Sequence, residues 1–72
     1  MVWVLERNND VVKCEIRQAP NSTDFEFEVV SKRGPIETSR FGSATELING
    51  YLRRQNALYA QGWRPRYTLR EM

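Results

Sequence analysis

One long stretch of this chain, residues 43–63, has the spacing of an amphipathic helix, and it constrains the fold more than any other feature. Ser43 and Glu46 stand three apart at its start, which is the spacing of a capping box. Gly62 suits the left-handed position that ends a helix, and Pro65 prevents the helix from resuming. The predicted apolar stripe recurs at steps of three and four and consists of Ala44, Leu47, Ile48, Tyr51, Leu52, Leu58 and Tyr59.

Gly50 lies inside this predicted helix, where glycine costs roughly 1 kcal/mol relative to alanine. A glycine at such a position indicates either close packing of the helix on its neighbour or a hinge, and we favour close packing.

Four shorter segments before the helix have the alternation or the apolar, β-prone composition of strands: residues 2–7, 11–18, 25–30 and 36–41. Clusters of Asn, Asp, Pro, Ser and Gly separate them, so each link is a short turn or loop. An apolar row on one side of these strands needs a cover, and the helix supplies it; this row is Cys14, Ile16, Phe25, Phe27 and Val29. The opposite face carries charged residues, as exposed antiparallel sheets commonly do.

The predicted fold class is therefore α+β: an antiparallel four-stranded β-meander covered on one face by a single C-terminal helix, in the order β-β-β-β-α. We expect residues 1–63 to form this single domain. Residues 64–72 are expected to form a basic C-terminal tail, or a short extra strand from Tyr67 to Arg70.

The chain has 72 residues, so its core is small and its margin of stability is narrow. Its one cysteine allows no internal disulfide, and together with the absence of a signal-peptide or membrane-span pattern it favours a soluble, cytoplasmic protein. Because pairing adds buried area to a small core, we expect a homodimer.

Charge is unevenly distributed along the chain. Residues 1–31 hold three basic and six acidic side chains, whereas residues 32–72 hold eight basic and three acidic side chains. This asymmetry indicates either an anionic partner or attraction between the acidic strands and the basic helix, and both interpretations stay open.

The sequence argues against catalysis. It contains no histidine, which is the commonest general base and metal ligand. Cys14 falls among apolar neighbours on the inward face, so we interpret it as a buried hydrophobe rather than a nucleophile. Glycine-rich phosphate-binding and paired-cysteine motifs are also missing, and we expect no enzyme activity, no cofactor and no metal.

Short sequence features give the chain a resemblance to small uncharacterised bacterial proteins that are built as a β-meander and one helix ending in a Gly-Trp pair. The features are Cys14-Glu15-Ile16-Arg17, a strand ending at Val30, Phe41-Gly42-Ser43-Ala44, Leu58, and Gly62-Trp63-Arg64-Pro65. The resemblance implies this fold and a bacterial cytoplasmic setting, and it implies no activity. At the level of topology alone, the order β-β-β-β-α also resembles the Whirly and Pur-type single-strand-binding folds, which implies a dimer.

Two functions follow as hypotheses. The first is a small interaction domain that binds itself or a protein partner through a sheet edge, because exposed edges recruit strands. The second, alternative function is single-stranded nucleic-acid binding through a basic patch on the helix and tail. The candidate contact residues are those of the types that anchor interfaces or bind phosphate, namely Trp3, Arg53, Arg54, Arg64, Arg66, Tyr67 and Arg70. We expect no membrane partner.

Overall fold

The structure, a computed structural model, describes residues 1–66. Its elements follow in the order β1 (Val2–Arg7), β2 (Asp10–Gln18), β3 (Phe25–Ser31), β4 (Gly34–Phe41), α1 (Ala44–Ala60) and β5 (Arg64–Pro65). The predicted antiparallel meander of four strands followed by one helix is confirmed, and the fold is α+β.

A fifth strand extends the sheet beyond the prediction. The strand order is β4-β3-β2-β1-β5, and β5 pairs antiparallel with β1 through Leu5↔Pro65 and Glu6↔Arg64. The amide of Arg66 continues this pairing by donating to the carbonyl oxygen of Val4 at 2.9 Å. The sheet thus includes residues that the sequence assigned to the tail, while the predicted strand from Tyr67 to Arg70 lies outside the described residues.

The two tight hairpins use residues that tolerate unusual backbone angles. The β1–β2 loop consists of two residues, since Asp10 already pairs with Arg7, and Asn8 has a φ of 55°. The β3–β4 turn ends at Gly34, whose φ of 120° is strained for residues with a Cβ. The β3–β4 ladder has a bulge near this turn, because Val29 pairs with Glu37 and Val30 with Pro35, so that Ile36 has no partner in the ladder.

Both ends of α1 are capped by local hydrogen bonds. The Ser43 hydroxyl accepts from the amide of Glu46 at 3.2 Å, as predicted. The Glu46 carboxylate, however, accepts from the amide of Gly42 at 3.1 Å, one residue before the amide that a capping box uses. At the other end the amide of Trp63 donates to the Leu58 carbonyl at 3.1 Å, and Gly62 has a φ of 99°, as in a Schellman motif.

The core lies between α1 and one face of the sheet, and Phe27, Leu5 and Cys14 in it are fully buried. The predicted apolar row is confirmed for Cys14, Phe27 and Val29. Trp63 closes the core at the end of the helix, while Trp3 stacks on Phe27 with ring centroids 5.9 Å apart. The buried cluster consists of Leu5, Val12, Cys14, Phe27, Val29 and Trp63.

The predicted apolar stripe of α1 is wrong at Ala44, Ile48 and Leu52. Ala44 is exposed, and Ile48 and Leu52 are 51% and 41% exposed, respectively, whereas Leu47 is buried. Successive helix residues turn by about 100°, so Ile48 points away from the face that holds Leu47, and Leu52 lies further round. The face that packs on the core is therefore narrower than the sequence pattern indicated, and it is centred on Leu47, Tyr51 and Leu58.

Gly50 brings the helix close to strand β4. A Cβ atom built on Gly50 would overlap the ring of Phe41, which leaves no room for any larger residue unless that ring moves. The interpretation of Gly50 as a close-packing position is thus supported by the contact with Phe41.

We expect the effect of Gly50→Ala on the free energy of unfolding to change sign with the residue at position 41. In the wild-type background the overlap with Phe41 should destabilise the domain by about 1–3 kcal/mol, as overpacking generally does. In a Phe41→Ala background the same change should stabilise it by up to about 1 kcal/mol, because only the helix propensity remains. Urea unfolding of the four variants measures both steps, and equal effects in the two backgrounds would contradict the packing role of Gly50.

Candidate functional site

The sheet face opposite the helix carries one arginine bound to three carboxylates. The guanidinium of Arg17 lies 2.9 Å from Glu28, 3.0 Å from Glu26 and 3.4 Å from Glu15. Glu15 and Glu28 are directly paired across β2 and β3, so Arg17 neutralises a repulsion that the register would otherwise create. The hydrogen bond to Glu28, with the charges of all three carboxylates, raises the pKa of Arg17 further above its usual value. These charges hold the strands in register and leave this part of the face acidic.

We expect Arg17→Met to destabilise the domain more at low salt concentration than at about 1 M salt, where repulsion between like charges is screened. The variant leaves three carboxylates without the cation that they share. Among the described residues Arg40 pairs with Asp24 alone, at 2.9 Å, so Arg40→Met is the matched control and should show a smaller dependence on salt. Thermal unfolding at both salt concentrations measures the difference, and a loss for Arg17→Met that did not vary with salt would contradict the network.

Cys14 is fully buried in the centre of β2. Burial raises the pKa of its thiol from 9.0 to about 11, because the thiolate cannot be hydrated there. A nucleophilic cysteine requires the opposite shift and an accessible sulfur. Its environment is that of the small buried hydrophobe that the sequence indicated.

The raised pKa of Cys14 links stability to alkaline pH. The unfolded thiol ionises near pH 9 and the folded thiol only near 11, so stability from this group is complete below about pH 9 and falls as the pH rises. Cys14→Ala lacks this dependence. We expect the stability advantage of the wild type over Cys14→Ala to shrink by roughly 2–3 kcal/mol between pH 8 and 11. Parallel denaturant titrations measure it, and a constant difference would show that the thiol does not titrate as stated.

Trp3, the first candidate contact residue, is half-buried against the core. Its ring contacts Phe27 and also meets the ring of Tyr51 edge-on, with centroids 5.9 Å apart. Its indole nitrogen is buried and has no hydrogen-bond partner among residues 1–66. The structure therefore places Trp3 mainly in the packing between sheet and helix.

Arg53 and Arg54 lie at the β4 side of the helix. Arg54 forms an ion pair with Glu37 of β4, and Arg53 is exposed. Both line the edge groove, an open groove of about 460 Å³ between α1 and β4. Its remaining lining residues are Glu37, Phe41, Gly50, Ala57, Leu58 and Gln61.

Arg64 and Arg66 lie at the other edge of the sheet. The guanidinium of Arg64 donates to the carbonyl oxygens of Tyr59 at 2.8 Å and Trp63 at 2.7 Å. It thus satisfies carbonyl groups at and just after the C-terminal end of the helix. Arg66 approaches Glu6 at 3.8 Å. Because β4 and β5 are opposite edges, the four candidate arginines among the described residues do not share one sheet edge. The two other candidates, Tyr67 and Arg70, lie outside the described residues.

A basic surface that the sequence did not predict lies at the end of the sheet that holds the β1–β2 and β3–β4 turns. We call it the tip groove; it is open and has a volume of about 430 Å³. The Lys32-Arg33 pair falls in the predicted turn between the strands 25–30 and 36–41, and two adjacent cations at a hairpin tip could have indicated this surface. Its charged lining residues are Arg7, Asp10, Lys32 and Arg33, and the others are Val11, Val12, Ser31, Ile36 and Trp63.

Among the residues that the structure describes, no strand pairs with the outer edge of β4. The orientation of its backbone groups follows from the hydrogen-bonded pair of Met1 and Ile16, whose backbone groups exchange bonds of 3.0 and 2.9 Å. Along an antiparallel ladder, such hydrogen-bonded pairs alternate with non-bonded pairs. When this alternation is continued through the strand registers, the backbone groups of Ser39 point toward Phe27 of β3. The backbone groups of Thr38 and Arg40 therefore point outward, away from β3. Within residues 1–66, β4 is the longer of the two sheet edges, eight residues against two in β5.

Comparison of the chain with protein-family models, curated proteins and solved structures gave no significant match. Among residues 1–66, no helix has both the length and the apolar composition needed to cross a membrane. In the same part of the chain, no three His, Cys, Asp or Glu side chains are arranged so that they could hold a metal ion. The suspected kinship with the bacterial meander-and-helix proteins stays a prediction.

Proposed function

We propose that this chain is a small non-catalytic interaction domain that associates with a second copy of itself through the β4 edge. The observation that carries the proposal is the eight-residue strand β4, which has β3 on one side and outward-facing backbone groups at Thr38 and Arg40 on the other. Exposed edges of this length readily pair with another strand.

The side chains of β4 suit antiparallel pairing with an identical strand. A twofold axis at Ser39 would set Thr38 against Arg40 of the second copy, with both residues contributing backbone hydrogen bonds. Glu37 would then lie opposite Phe41 of the second copy, so no like charges oppose each other directly. The bulge at Val29/Val30 confines the pairing to residues 37–41.

The edge groove adds apolar surface next to this pairing. Phe41, Ala57 and Leu58 line the groove directly beside β4, and a second copy that extended the sheet would lie next to it. Burying this surface would benefit a domain whose fully buried side chains are few.

We expect the wild-type chain to sediment as a dimer whose affinity changes little with salt, because the interface is made mainly of backbone hydrogen bonds and apolar contacts. Thr38→Pro removes an outward N–H that the fold does not use, and edge strands tolerate proline at such positions. This variant should remain folded and become monomeric.

The matched control is Thr38→Val, which keeps the backbone N–H and should leave the dimer intact. Sedimentation equilibrium at two salt concentrations, with circular dichroism to check the fold, distinguishes the outcomes. A wild-type chain that stays monomeric at millimolar concentration, or a folded Thr38→Pro that still dimerises, would refute the proposal.

Single-stranded nucleic-acid binding is the alternative proposal, and the geometry gives it less support. Arg54 is paired with Glu37, Arg64 serves the helix end, and the open sheet face carries the glutamates around Arg17. Single-strand binding requires a basic groove with exposed aromatic rings. Its test is binding to an oligonucleotide that weakens steeply with salt, and absence of binding at low salt would exclude it.

A further inference from the structure

The tip groove contains a gap in the sheet. The ladder between β2 and β3 ends at Lys13↔Val30, although β2 begins three residues earlier, at Asp10. Residues 10–12 therefore have β1 on one side and no paired strand on the other among the described residues. Since Lys13 bonds toward β3, the backbone groups of Val11 face the same way, into the gap.

Basic side chains surround this gap. Lys32 and Arg33 are exposed at the β3–β4 turn and form no ion pair with any described residue. Arg7 is held in place because its guanidinium stacks 4.5 Å from the ring centroid of Trp63 and donates to the Gln61 carbonyl at 3.0 Å. With Asp10 as the one acidic lining residue, the groove is electropositive.

An exposed isoleucine forms part of the same lining. Ile36 is 61% exposed, and the bulge in the β3–β4 ladder places it near the turn. Bulges commonly redirect a side chain in this way. An aliphatic surface next to cations and unpaired strand backbone favours a ligand that is itself extended, anionic and partly apolar.

We propose that the tip groove binds a short acidic segment of a partner protein in extended conformation. The segment adds along Val11 by backbone hydrogen bonds, places carboxylates on Lys32 and Arg33, and packs an aliphatic side chain on Ile36. Charge complementarity and strand addition are both established modes of peptide recognition. The site goes beyond the self-association proposed above, since the dimer pairing uses residues 37–41 and leaves Ile36 and the β3–β4 turn accessible.

The groove fits a peptide better than a nucleic acid. Bases need an aromatic ring on which to stack, but Trp63 is only 6% exposed and Arg7 lies over it. The other uncharged lining residues are mainly aliphatic.

The test is an amide NMR titration of the full chain with a five-residue peptide that alternates aspartate and leucine and is blocked at both ends. Its counterpart with asparagine in place of aspartate is the control peptide. We expect shifts confined to residues 10–12, 31–36 and the Trp63 indole, and binding of the acidic peptide alone.

Two pairs of variants locate the site. Arg33→Glu should weaken peptide binding by about tenfold or more, because it reverses a charge that contacts the peptide. Arg53→Glu makes the same charge change at the edge groove and should leave the affinity for the peptide unchanged. Ile36→Ser should weaken binding, and Ile48→Ser, at another exposed isoleucine, this one on the helix, should not. Both residues of each pair are exposed, so the fold is not at risk.

Several results would overturn the assignment. Equal binding of the two peptides, shifts scattered over the surface, or equal losses for Arg33→Glu and Arg53→Glu would indicate nonspecific attraction. A single-stranded oligonucleotide of the same net charge that shifts the same amides more strongly than the peptide would assign the groove to nucleic acid instead.

Discussion

The packing of one helix against one sheet face is the interaction on which the rest of this structure depends. The core cluster is small and has no second layer to support it, so each buried residue carries a large share of the stability. Helix α1 contacts β3 and β4, and Gly50 allows it to approach Phe41 closely. Aromatic side chains complete this packing: Trp3 of β1 contacts Tyr51 of the helix, and Trp63 belongs to the same buried cluster as Leu5 of β1 and Val12 of β2.

Because the core has a single helix as its cover, several parts of the sheet stay open. A single helix covers one face, and the charges gathered around Arg17 occupy much of the other. The β4 edge and the gap at the turns have strand backbone groups that no described residue pairs with, and exposed strand backbone is the feature that recruits another chain. The two proposed contacts use these two places, and neither requires the core to rearrange.

Those parts of the fold that a local rule determines could be predicted from the sequence. The turns, the strand alternation and the Ser43 cap follow from spacing and backbone preference, and so does the buried row that includes Phe27. The sequence did not predict the exposure of Ile48 and Leu52. Apolar spacing gives the width of a stripe, but it does not give the rotation of the helix about its own axis when the helix packs on the sheet. The sequence also could not place Arg53 and Arg64 on opposite sides, since that depends on which edge receives the chain after the helix. The tip groove was missed because it exists only where two turns come together.

The order of the strands has a consequence for how the chain folds. Each of the first four strands pairs with its neighbour in sequence, so the meander assembles from contacts of low sequence separation, and only β5 must return across the whole chain to reach β1. Low contact order accelerates folding, since little loop entropy is lost before contacts form. The three hairpins can thus form early, and docking of the segment after the helix completes the sheet as the last long-range step.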